Sequence, residues 1–379
     1  MKNWIKVLGI IVVAAVIGLT VASCNGNGDD DDGDKKDPTV NWPSGFIATE
    51  GDLLSSITLP NNGSGTAGAF AWTTPAAPVD GVGLRSHNMT FTPTDTATYN
   101  AKTQDVQVRV CPEGMVWIEA GTFLMGPDIW NDKATVQVSF SKGFYMGKYQ
   151  VTQELYELVM EANPSYFHGG DGREPEASEV QGKRPVETVN WYHAIAFCNR
   201  LSILEGLTPV YTIGSISNSD ADAWLHSEVP TSNDATWNAA TPNWDANGYR
   251  LPTDAQWEYA AKGGNGSPGN FTYSGSNDID DVAWYSVNSG SKTHEVGLKA
   301  PNGLGIYDMS GNVWEWCWDR YGDYPSEPVT DYYGAAAGTV RVFRGGSWRD
   351  SAGITQSVSP LSYDPGYRVN ALGFRLVRP

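Results

Sequence analysis

The apolar residues of this chain follow four successive patterns between the N-terminus and the C-terminus. From Val7 to Val21 they form an uncharged run preceded by Lys2 and Lys6. That run is shorter than the roughly 20 apolar residues a spanning helix needs. From Asn25 to Asp37 there is no apolar residue, only Gly, Asn, Lys and Asp. From Pro38 to Val110 the apolar residues come in short pieces separated by Gly, Pro, Asn and Asp, and Val106, Val108 and Val110 alternate as a half-buried strand should. Several such strands in one segment predict a small immunoglobulin-like β-sandwich over residues 38–110.

From Cys111 the pattern mixes strand and helix periods. Met115–Ile118 and Phe123–Gly126 predict a hairpin, and Val136, Val138 and Phe140 predict a further strand. Thr152 is placed to cap a helix from Gln153 to about Ala162, with Leu155, Leu158 and Val159 on its apolar stripe. Asn190 is placed to cap a second helix whose apolar face carries Trp191, Ala194, Ile195, Cys198 and Leu201. On that helix His193 is expected to be exposed and Cys198 to be a small core residue. Thr253 and Gln256 have capping-box spacing, and Gly263-Gly264 should end the helix they open. The fold class expected is α+β, with domains at 1–23 (leader), 24–37 (tether), 38–110 and 111–379.

Composition changes this picture in two places. The net charge of −18 and the absence of a basic cluster exclude a role that follows nucleic-acid phosphates. The 42 glycines, 15 tryptophans and 18 tyrosines suit long ordered loops pinned by aromatic rings. Beyond Cys24 only Cys111, Cys198 and Cys317 remain, an odd number that implies no disulfide scaffold.

The N-terminal run ends in Val21-Ala22-Ser23-Cys24, which resembles the bacterial lipobox. The resemblance implies cleavage before Cys24 and lipidation of its sulfur. The alternative is an ordinary leader, or an uncleaved anchor, with an incidental cysteine. The acidic segment that follows has too little apolar surface to offset its ordering entropy and reads as a solvated tether. A lipid-anchored, monomeric protein at the outer membrane or cell surface is the resulting expectation.

Several motifs recur in order over the rest of the chain. They are Gly121-Thr122-Phe123-Leu124-Met125-Gly126, Arg184-Pro185-Val186 with Asn190-Trp191, Gly248 to Ala261, Gly311 to Trp316, Arg344 to Trp348, and Gly373-Phe374-Arg375. In these the chain resembles the sulfatase-modifying-factor family, which includes the formylglycine-generating enzyme and has a C-type-lectin-like fold. The resemblance implies a structural calcium held by the side chains of Asp308 and Glu315 and the carbonyls of Gly311 and Val313. Hard oxygen donors around a glycine turn suit that ion. The alternative is that the two carboxylates only hydrogen-bond the turn. The enzymes of the family hold copper on two cysteines, and the motif places these at Thr355 and Pro360, neither of which offers the soft thiolate that Cu(I) requires. No copper and no catalytic residue are therefore expected, and formylglycine-type oxidation of sulfatase cysteines is the competing reading. The five histidines show no ligand spacing.

Departure from the family pattern is concentrated between Trp348 and Leu372, inside a frame that keeps it. This arrangement resembles the variable proteins of diversity-generating retroelements, in which a rewritten C-terminal window becomes a ligand-binding face. The resemblance implies a surface formed by Arg349, Asp350, Ile354, Thr355, Ser357, Ser359, Leu361, Ser362, Tyr363, Tyr367, Val369, Asn370 and Ala371. Tyr with Ser and small residues is a composition adaptable binding sites use, and the expected partner is a protein or glycan. Neutral drift in a degenerate relative is the alternative.

Overall fold

A computed structural model describes residues 35–127, 135–265, 271–358 and 360–379. Cys24, the leader, most of the tether and Ser359 lie outside them. The chain falls into two compact units, one of residues up to 43 with 59–73 and 88–104, the other of 44–58, 74–87 and 105–379.

In the first unit β2 (Gly68–Trp72) pairs antiparallel with residues 89–93 of β3 (Gly83–Pro93). Phe70 and Phe91 meet at 5.2 Å between ring centroids, and buried Asn62 donates to the carbonyls of Thr39 and Thr66. In the second unit β1 (Phe46–Thr49) pairs parallel with residues 108–111 of β4 (Lys102–Cys111). The alternation of Val106, Val108 and Val110 is that of a strand with one buried face. Since β3 and β4 each run from one unit into the other, the compact units do not divide at the composition change near Cys111.

The expected hairpin of residues 115–126 is not formed. Strand β5 (Met115–Ile118) pairs with β8 (Phe144–Gly147), and β6 (Thr122–Met125) pairs with β7 (Val136–Ser139), both antiparallel. The two pairs lie in separate sheets, an arrangement that apolar spacing alone does not distinguish from sequential pairing.

Helix α1 (Gln153–Met160) starts where Thr152 Oγ1 accepts from Leu155 N at 3.3 Å. It ends early because Glu161 takes the left-handed conformation, φ 57°. Its buried stripe is Tyr156, Val159 and Met160, whereas Leu158 is exposed, contrary to the stripe expected. Helix α2 (Trp191–Leu204) is buried from Trp191 to Ser202, so His193 is fully buried rather than exposed, and Cys198 sits in the core. Strands β9 (Tyr211–Thr212) and β10 (Thr241–Pro242) pair around the short helix α3 (Ala235–Asn238). The Thr253–Gln256 capping box opens α4 (Asp254–Ala261), and Gly263 and Gly264, both at positive φ, end it. After α5 (Ile279–Val282), strands β11 (Ala283–Trp284) and β12 (Ser310–Gly311) run parallel.

Strand β13 (Trp314–Arg320) lies between the two cores of this unit. Trp314, Trp316 and Trp318 pack with α2, while Cys317 packs with Trp257 of α4, as the two-residue period of a strand requires. Beyond β14 (Val329–Thr330), β13 is joined by β15 (Arg341–Arg344), β16 (Leu361–Tyr363) and β17 (Leu372–Gly373) in the order β16-β15-β13-β17. Strand β18 (Val377–Arg378) closes on β8. No helix among the described residues is long and apolar enough to cross a membrane.

Candidate functional site

The turn from Asp308 to Glu315 passes through left-handed backbone at Asp308, Gly311 and Asn312. A Cβ on Gly311 would lie 2.3 Å from the Trp284 carbonyl, so this position requires glycine. The turn's oxygens converge on one point, and the side-chain amide nitrogen of Gln150 is there. Gln150 Nε2 lies 3.2 Å from Asp308 O, 3.4 Å from Gly311 O, 2.9 Å from Val313 O and 3.0 Å from Glu315 Oε1. An amide NH₂ has two protons for these four acceptors. Gln150 Oε1 and Asp308 Oδ1 are meanwhile buried without a partner. Which end of such an amide faces a site is set by the groups around it, and a hard cation favours the oxygen. The donor set therefore fits a calcium-type ion, and Gln150, which the motif did not indicate, would be among the residues to hold it.

The Asp308 carbonyl faces the point, whereas its carboxylate accepts from Gly297 N at 2.8 Å. The Glu315 carboxylate also accepts from Arg375 Nε and Nη2 and from Trp257 Nε1. Among the described residues no three His, Cys, Asp or Glu side chains are placed to share a metal, because most donors at this turn are main-chain oxygens.

Burial pushes the Asp308 carboxyl up to about 6. A raised folded-state value stabilises the fold below that pH, and this contribution is lost as pH rises through it. Asp308→Asn should therefore stabilise the chelator-treated protein at pH 8, by on the order of 2–3 kcal/mol at most, with no gain at pH 4. Urea melts at the two pH values check this; equal effects at both would contradict it.

The copper positions offer no sulfur. Thr355 is buried beneath Gly346, and its Oγ1 donates to the Ala352 carbonyl. Cys111, Cys198 and Cys317 are free and buried, and burial raises each thiol above its ordinary value, which opposes thiolate formation.

The window from Trp348 to Leu372 is held mainly by its own main chain. Framework donors reach its carbonyls: Trp348 Nε1 to Asn370 O at 2.8 Å, Trp191 N to Pro365 O at 3.0 Å, Thr188 N to Val369 O at 3.1 Å, and Trp314 N to Ala371 O at 2.8 Å. Arg349, Leu361 and Tyr363 are exposed, and Ile354, Ser362, Tyr367, Val369 and Asn370 are half-buried. The Tyr363 and Tyr367 rings lie 4.0 Å apart. Three expected surface residues are not on the surface: Thr355, Ser357 and Ala371 are buried, since their segments pack under the glycine turn and against β13. Asp350 is half-buried, and its carboxylate accepts from Trp314 Nε1 at 2.7 Å and from Ser347.

Sequence spacing also missed a stacked pair, buried His193 and half-buried His226. His193 and His226 stack at 4.3 Å, with Tyr156 Oη 2.9 Å from His226 Nδ1. Their approach links α2 to a loop 33 residues further along the chain, which no local pattern signals.

Residues 100–379 match the model of the Sulfatase-modifying factor enzyme 1-like domain. The chain is 40% identical over 283 residues to the chaperone protein LppX of Paenibacillus barcinonensis, covering 70% of this chain and 89% of that protein. It is 37% identical over 129 residues to the formylglycine-generating enzyme of Streptomyces coelicolor, covering 30% and 40% of the respective chains. Among solved structures it is similar to Treponema denticola variable protein 1, with a TM-score of 0.64 and 40% identity, covering 77% of this chain and 99% of that one.

Proposed function

The chain belongs to the sulfatase-modifying factor enzyme 1-like family, with the C-type-lectin-like fold of that family, and from this membership we propose that it is a lipid-anchored, non-catalytic protein that displays a ligand-binding face. The observation that carries the reading is the division of labour in the window. The frame bonds main-chain carbonyls, so most exposed side chains can change without loss of the fold. The likeness to a Treponema variable protein supports diversification of that face. Thr355 and Pro360, where copper thiolates would be needed, weigh against the oxidase reading. Anchoring rests on Cys24 and the acidic segment behind it, and calcium at the Asp308 turn is a structural ion in this reading.

The partner is a macromolecule, for which paired tyrosines with short polar neighbours are suitable anchors. Similarity to a protein named a chaperone favours a polypeptide over a glycan.

Sequencing the 3′ coding ends of sibling isolates tests diversification. Differences should fall at Arg349, Ile354, Leu361, Ser362, Tyr363, Tyr367, Val369 and Asn370, and spare Thr355, Ser357 and Ala371. Identical windows, or changes spread evenly, would remove this part of the proposal. Tyr363→Ala and Tyr367→Ala should each change stability by no more than about 1 kcal/mol while weakening the partner interaction. Aldehyde formation on a cysteine peptide supplied with copper would overturn the non-catalytic reading.

A further inference from the structure

Two arginines face each other where β13 meets β15. Arg320 and Arg341 are direct partners in the antiparallel register, so both side chains lie on one side of the sheet. Like charges directly opposite each other are destabilising unless something offsets them. Neither guanidinium lies within ion-pair distance of a carboxylate among the described residues. Arg320 reaches only carbonyls, Asn238 O at 3.3 Å and Ala336 O at 3.5 Å. Arg341 donates from Nη1 to Trp318 O at 2.7 Å and lies 3.8 Å from the Trp191 ring. Burial, and then the neighbouring Arg320, push the Arg341 guanidinium down to about 9. The Asp319 carboxyl accepts from Asp254 N on the other side of β13 and pairs with neither arginine.

Both arginines line a cavity of 360 Å³. Its walls are aromatic: Trp244 stacks on Tyr333 at 4.3 Å, and Trp318 meets Trp244 edge-on at 5.9 Å. The small residues Gly334, Ala335 and Ala336 form part of the lining. A neighbouring cavity of 280 Å³ shares Trp244 and Tyr333, but its arginine, Arg250, already donates to Gln256 Oε1 at 2.7 Å, and Asp245 and Asp331 line it. The two cavities are thus chemically distinct: the first is lined by two arginines and no carboxylate, the second by one arginine and two aspartates. In a chain of net charge −18 such a pair is an exception to the overall balance.

The geometry points to a binding site for a small carboxylate carried on a ring, with the Arg320–Arg341 pair taking the carboxylate and the Trp244, Trp318 and Tyr333 walls taking the ring. A guanidinium fork matches a carboxylate in two parallel hydrogen bonds, and flat aromatic walls accept a ring with an apolar face. The volume is that of a small-ligand site. Tyr363 is the β16 partner of Arg341, so the cavity lies one strand from the variable window, but it contains no window residue and does not depend on that reading.

The test is calorimetric titration of the full-length protein with glucuronate, benzoate, glucose and sulfate. One of the two carboxylates should bind saturably and at least about ten-fold more tightly than glucose or sulfate, and which one identifies the ring as sugar or aromatic. Arg320→Gln, at a half-buried residue outside the core, should weaken that binding by about ten-fold or more with an unchanged melting curve. Arg341→Lys, which keeps the charge and loses the fork, should weaken it too; should that variant not fold, Arg320→Gln alone decides. The proposal fails if neither carboxylate saturates, if glucose or sulfate binds equally well, or if Arg320→Gln binds as the parent does. None of these results bears on whether the window varies between isolates.

Discussion

Arg375→Met is expected to destabilise the second unit by about 3–5 kcal/mol, because it strands a buried carboxylate. Arg375 and Glu315 are both fully buried, and Arg375 Nε and Nη2 reach the two Glu315 oxygens at 2.6 and 2.7 Å. The same guanidinium donates to the carbonyls of Gly147 and Tyr307, so one side chain ties β8 and the loop before β12 to β13. Urea denaturation with chelator present measures the loss. Adding Glu315→Gln to the variant should recover part of it, since no bare charge then remains, whereas a purely steric role for Arg375 predicts no recovery. A single variant within about 1 kcal/mol of the parent would refute the argument.

Arg344→Met should be about as costly, and its cost should depend on pH. Arg344 is fully buried and pairs with Asp254 and, at 2.9 Å, with Glu258. Close by, burial and then the Asp254 carboxyl push Asp319 well above the usual carboxylate range. Two acidic side chains thus pair with one buried arginine beside a third, Asp319, and Lys262 lies 2.6 Å from Glu258. Without Arg344 the folded protein should take up protons that the unfolded chain does not, so the deficit of about 3–5 kcal/mol at pH 7–8 should shrink as pH falls toward 4. Denaturation at both pH values reads this directly. A deficit that is constant or grows on acidification would mean that Arg344 acts through packing alone.

Both arginines belong to motifs visible in the sequence, Arg344 to Trp348 and Gly373 to Arg375, and each motif has its counterpart in the structure. The roles were less legible than the residues. Asp308 and Glu315 stand out as carboxylates flanking a glycine turn, but that the Asp308 carbonyl also faces the convergent point was not legible. Gln150 is at the centre of that site and 158 residues before Asp308, and nothing in its neighbourhood distinguishes it from an ordinary polar position. The window was legible as a departure from a family pattern, but not which of its residues are exposed. Leu361 and Tyr363 are exposed while Thr355, Ser357 and Ala371 are buried, although all five belong to one stretch between β15 and β17.

By itself the sequence determined the features that rest on contacts within one turn of helix or a few residues of strand. These are the Thr253–Gln256 box, the caps at Thr152 and Asn190, the glycine at 311, the alternation through Val110, and the ordered motifs that mark the family. Tertiary structure decided everything that brings distant segments together. It paired β5 with β8 and β6 with β7 in separate sheets, buried His193 against His226, set Gln150 among the turn's oxygens, and placed Arg320 opposite Arg341 beside an aromatic cavity. The physical reason is one of range. Capping and periodic burial are satisfied by neighbours along the chain, whereas a buried charge or amide is satisfied by whichever oxygen or ring the packing of remote strands delivers.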